Sequence, residues 1–103
     1  MDRDLCKLTL VYPVAAEDRV IEFLLDAEPP TPGFVSWRAE GHGGGFEESS
    51  PREQVRGRIE RAILMMVIDR ARLEGLLADL RRDCAIPHLV YWTEPVERFG
   101  LHK

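Results

Sequence analysis

The chain has little that catalysis or membrane insertion would need. It contains no GxSxG and no HExxH motif. Ser49 and Ser50 lie in a Gly-rich stretch without an evident base, and nothing places the adjacent Glu47 and Glu48 at a reacting bond. A non-enzyme is expected. No segment approaches the roughly 20 apolar residues of a membrane span, and the charged start Met1-Asp2-Arg3-Asp4 has no apolar core of signal-peptide length. The expectation is a cytoplasmic protein that does not span a membrane. There are only two cysteines, Cys6 and Cys84, without CxxC spacing, which removes the zinc-ribbon and thioredoxin readings. Both are expected as small buried apolar groups, not as a disulfide. A basic excess is also missing. The formal net charge of −4 speaks against nucleic acid, whose phosphates want a positive surface.

What is present fits one domain spanning residues 1–103. Folding at this length buries only about two thirds of the unfolded chain's surface, so association would add stability. Leu5 to Tyr12 alternates as a strand, with Leu8, Leu10 and Tyr12 on one face. Pro13 ends it. Ala15 to Ala27 carries Val20, Phe23, Leu24 and Ala27 at helical spacing, with Glu17 and Asp18 where the helix dipole favours negative charge. Pro29, Pro30, Pro32 and Gly33 break that helix. Phe34 to Glu40 is a second strand, with Val35, Trp37 and Ala39 on one face and Ser36, Arg38 and Glu40 on the other. The segment from Gly41 to Pro51 has the composition of a long functional loop. Gln54 to Ile68 is the strongest strand signal. Asp69 is a good N-cap for a helix with Leu73, Leu76, Leu77 and Leu80 on one side. Gly75 lies inside that helix, and its small size is expected to allow close packing on the sheet. His88 to Thr93 is the last strand, followed by a tail over about residues 95–103.

The order is β-α-β-β-α-β. Two right-handed crossovers give a ferredoxin-like α+β sandwich, an antiparallel sheet with both helices on one face. The other face should be polar if it meets water. The run Ala62 to Ile68 disagrees, being apolar on both sides. Such a bare patch marks an interface between copies, unless Val96 and Phe99 of the tail cover it.

Several residues carry a family likeness. Gly41-His42-Gly43, then Glu53-Gln54-Val55-Arg56-Gly57-Arg58, then His88-x-x-Tyr91-Trp92-x-Glu94-Pro95-Val96 with Phe99-Gly100, resemble a short bacterial PII-like family of unknown function. The resemblance covers nearly the whole chain. It implies a homotrimer with sheets packed around a threefold axis, and a flexible T-loop at about residues 41–53. It also implies a signalling role, with a membrane transporter or efflux component as a candidate partner. One departure matters. Nucleotide-binding PII proteins carry a TGxxGDGK phosphate loop before the last strand, where this chain has Arg82-Asp83-Cys84-Ala85-Ile86-Pro87, with neither glycine nor lysine. Backbone amides there cannot cradle phosphates in the same way.

The leading expectation is a trimeric sensor that binds a small anionic ligand in a cleft between subunits and signals through its loop. Its expected ligand residues are Gly41, His42, Gly43, Arg56, Gly57, Arg58, His88, Tyr91 and Trp92. Arginines suit carboxylate and phosphate groups, glycines allow close backbone approach, and the aromatics offer a stacking wall. The competing reading makes the arginines ion-pair partners of nearby glutamates. A second function is metal binding through His42 and His88, with ties to heavy-metal efflux. A third is a ligand-free module that docks on a transporter. No cofactor is indicated.

Overall fold

The computed structural model describes residues 4–42 and 59–102. The expected loop from Gly43 onward and the first part of the third strand, including Arg56, Gly57 and Arg58, lie outside these residues.

Alternation in the first segment produces β1 (Leu5–Pro13), the strand on which the sheet is built. Cys6, Leu8, Leu10 and Tyr12 point to one side and are all fully buried. Pro13 has no N–H to donate and leads into a single 3₁₀ turn, Val14–Ala16. Helix α1 (Glu17–Leu25) follows. It is shorter than the expected 15–27 at both ends. Ala15 and Ala16 belong to the tighter turn, and the prolines at 29 and 30 keep the chain from continuing far past Asp26. Thr31 Oγ1 instead donates to the Leu24 carbonyl at 3.0 Å and satisfies one of the helix's last acceptors.

Strands β2 (Phe34–Gly41) and β3 (Ile59–Asp69) are antiparallel neighbours, and helix α2 (Arg70–Asp83) leads from β3 towards β4 (Val90–Val96). The sheet order is β2-β3-β1-β4, with every pairing antiparallel. Both helices lie on one face. Val20 and Leu24 of α1 and Leu73, Leu76 and Leu80 of α2 close over Leu8, Leu10, Leu64 and Met66. The fold is thus the expected ferredoxin-like α+β sandwich. Asp69 occupies the N-cap of α2 but makes no capping hydrogen bond with its side chain. The start of α2 is tied to β1 instead, with Arg70 N–H donating to the Asp4 carbonyl at 2.9 Å and its Nε to the Asp4 carboxylate at 3.0 Å.

Two local expectations need correction. Gly75 does not pack on the sheet: it is exposed, and the nearest atom to a Cβ built there is Arg72 Nη1 at 3.4 Å. The last strand also runs later and longer than His88–Thr93. His88 adopts φ 64, a left-handed conformation that no strand continues through. At the other end Pro95 stays in register opposite Cys6. An edge strand tolerates it, because β4 pairs only with β1.

The register fixes what the uncovered face carries. One cross-strand row runs Val35, Met65, Thr9, Trp92, and the next runs Trp37, Ile63, Val11, Val90. Thr9 and Val11 are buried between their larger neighbours, whereas Val35, Trp37 and Trp92 are 54, 45 and 45 % exposed. The tail does not cover them, since Phe99 is itself 58 % exposed. Val96 is half-buried at the far end of this face, in register with Leu5.

Candidate functional site

Strand β2 fixes the base of the expected loop. Gly41 is buried and pairs with Ile59 at the end of the hairpin. His42 follows on the surface, its Nε2 4.0 Å from Glu40 Oε2. On the helix side of the same strand end stands Arg38, two residues before Glu40. Its Nη2 donates to Glu17 Oε2 at 3.3 Å, and its Nη1 lies 3.9 Å from Glu60 Oε1. Arg38 and Tyr12 flank the small side of Ala62 in one cross-strand row. Burial, with the Glu17 carboxylate as a second cause, pushes the Tyr12 phenol up to about 12. The loop base is therefore a charged cluster, one guanidinium among carboxylates over a neutral buried phenol.

Arg38 was absent from the expected site. Strand alternation puts it with Ser36 and Glu40 on one face of β2 without saying which face that is. The register instead aligns Phe34, Ser36 and Arg38 with the buried Met66, Leu64 and Ala62, so the helix side of β2 is the more polar one. Only the exact pairing with β3 reveals this.

The other expected residues belong to β4 and the turn before it. His88 is exposed in that turn, and Trp92 lies on the uncovered face. The Trp92 indole N–H donates to Glu94 Oε2 at 3.3 Å, and Lys7 Nζ holds the same carboxylate oxygen at 3.1 Å. Tyr91 aligns with Leu10 and so points to the helix side, away from Trp92. The two aromatics do not form one wall.

His88 and Gly41 lie towards the same end of the sheet, but β4 and β2 are its opposite edges. Three strand spacings separate those edges, about 14 Å. The histidines at 42 and 88 are thus too far apart to hold one ion within a chain, since ligand bonds to zinc are only about 2 Å long. Among the described residues no three His, Cys, Asp or Glu side chains group to hold a metal. Both cysteines are free thiols. Cys6 is in the core, and burial raises the Cys84 thiol above its ordinary value, partly opposed by Arg19. Among the described residues no helix is long and apolar enough to cross a membrane.

The βαββαβ sheet in the order β2-β3-β1-β4, with both helices on one face, is a fold shared with PII-like proteins. Solved structures with this fold include Bacillus subtilis GlnK in complex with ATP, at TM-score 0.65 and 12% identity over 93% of this chain and 84% of that one. Another is described as a PII-like signalling protein of Thermus thermophilus, at TM-score 0.59 and 22% identity over 93% and 91%. At these identities the likeness shows the fold alone. The family profile described as "Protein of unknown function (DUF3240)" matches residues 2–103, and the chain belongs to that family. A crystal structure of a DUF3240 protein from Shewanella baltica superposes over the whole of both chains, at TM-score 0.78 and 19% identity. No curated protein matches the chain.

Proposed function

We propose that the protein is a PII-like regulatory module, not an enzyme, that works as a homotrimer. It binds a small anionic ligand in the cleft between subunits at the base of the loop and passes the signal to a partner through that loop. The observation that carries the reading is the uncovered sheet face. Its apolar rows end in the exposed Val35 and Trp37 on one edge and Trp92 on the other. An exposed apolar face of this kind favours burial against copies of the same chain. Assembly also solves the geometry of the site. Gly41 and His42 on one edge and His88 on the other can meet only across a boundary between chains.

His88 adds support, because a non-glycine residue held at φ 64 stores backbone strain of a kind that clusters at functional sites. The anion preference rests on Arg56 and Arg58. The connection from Cys84 to Leu89 lacks glycine, so an ATP cradle of the usual PII kind is not part of the proposal. No observation among the described residues favours the metal reading or a particular transporter.

Thermal-shift screening tests the proposal, since a ligand that prefers the native state raises its stability. Nucleotides and small phosphates come first, then copper, zinc, cobalt and nickel salts. An anion should raise the melting temperature of the unaltered protein and not of the Arg56→Ala, Arg58→Ala double variant. A full shift in the double variant would make those arginines structural. A shift with metals alone would replace the anion by an ion.

A further inference from the structure

The described residues also line an open cleft of about 530 Å³ between α2, the connection after it and β4. Its volume falls in the range of small-molecule sites, roughly 300–1,000 Å³. Leu77 and Ala78 of the helix form one wall, and Ile86, Pro87, Leu89 and Tyr91 form the other. Leu77, Ile86 and Leu89 are only partly buried, so an apolar occupant would remove their remaining surface from water. The Cys84 thiol also lines the cavity, and burial keeps it neutral. It is wall, not nucleophile.

Charge is confined to two positions, Arg81 and Glu74. They are seven residues apart on one helix, about 10 Å along its axis, and do not pair with each other. Among the described residues neither takes part in an ion pair. The contrast with the next residue is direct: Arg82 is held at 3.0 Å by both Asp79 and Asp83. Arg81 therefore presents a guanidinium that nothing among the described residues neutralises, beside a mostly apolar cleft. Its planar fork suits a carboxylate. Glu74, two turns away, disfavours a second negative charge.

We propose that this cavity is a second binding site, separate from the loop base, for a small monocarboxylate with an aromatic or branched apolar body. The carboxylate meets Arg81, and the body fills the space between Leu77 and Leu89. All of its lining comes from one chain, with Pro87 and Leu89 on either side of His88.

Methyl NMR of the full chain tests it with two probes, 4-phenylbutyrate and the neutral 4-phenylbutanol. Both should move the Leu77, Ile86 and Leu89 methyl signals saturably, the carboxylate more tightly. Arg81→Gln should weaken 4-phenylbutyrate about tenfold, the size of one lost charge-assisted hydrogen bond, and leave 4-phenylbutanol unchanged. Arg82→Gln should alter neither. Ala78→Trp, at an exposed helix position, should fill the cleft and abolish both. If that variant does not fold, nuclear Overhauser contacts from the probe to the Leu77 and Ile86 methyls decide in the unaltered protein. Probe-induced shifts confined to the Val35 and Trp37 face would overturn the site. So would equal binding of 4-phenylbutyrate by Arg81→Gln, or contacts showing the cleft already filled by Phe99 of a second copy.

Discussion

The substitution Tyr12→Phe keeps an aromatic ring and removes one hydroxyl. The ring is fully enclosed, so its packing survives. Among the described residues the hydroxyl is buried without a hydrogen-bond partner. An unsatisfied buried polar group costs on the order of 1–3 kcal/mol, so the variant should gain about 1 kcal/mol at neutral pH. For a chain of this size that is a rise of about 4 °C in melting temperature. The alkaline limb sharpens the test. The phenol's folded value, about 12, lies above its ordinary 10.0, so the fold favours the protonated form. That contribution is fully present below pH 10.0 and is lost as pH rises towards about 12. The shift corresponds to about 2–3 kcal/mol. Tyr12→Phe escapes this loss, so urea unfolding should show its advantage widening above pH 10.0. A loss of more than about 1 kcal/mol at neutral pH would overturn this reading of Tyr12, because it would mean that the hydroxyl has a partner.

Gly75→Ala should stabilise by about 1 kcal/mol, since the site is mid-helix and exposed and a Cβ meets only the end of Arg72. A lower urea midpoint would show that the glycine is needed. Leu76→Ala should cost about 2–5 kcal/mol, because Leu76 is 1 % exposed beneath α2. A loss under about 1 kcal/mol would mean that α2 is not seated on the sheet. Thr31→Val should cost about 1 kcal/mol by removing the hydroxyl that serves the Leu24 carbonyl. An unchanged midpoint would show that water replaces it.

The element order was readable because its signals are local. Leu8, Leu10 and Tyr12 alternate, the leucines of α2 repeat at helical spacing, and prolines punctuate the first helix. The double-sided apolar run Ala62 to Ile68 also read correctly, with Leu64 and Met66 in the core and Ile63 and Met65 on the open face. What failed depends on non-local pairing. The start of β4 at Val90 and not His88 is not legible, because a positive φ in a histidine leaves no mark in the sequence. Tyr91 and Trp92 do not share one site, because strand alternation sends adjacent residues to opposite faces. Arg38 is exposed, and its place beside Glu17 follows only from its alignment with Ala62 across β3. Spacing could expose the chemistry at the two edges of the sheet, but not the distance between those edges.

Burial of the open face between copies is what the proposed assembly, and with it the intersubunit site, depends on. Light scattering at micromolar concentration, on the unaltered chain and on Trp37→Glu, measures this directly. The unaltered chain should show a mass three times the 11.8 kDa of one copy. The variant should be a folded species of single-chain mass, because a carboxylate at the exposed Trp37 position cannot be buried unpaired. A stable monomer of 11.8 kDa for the unaltered chain would rule out the trimer.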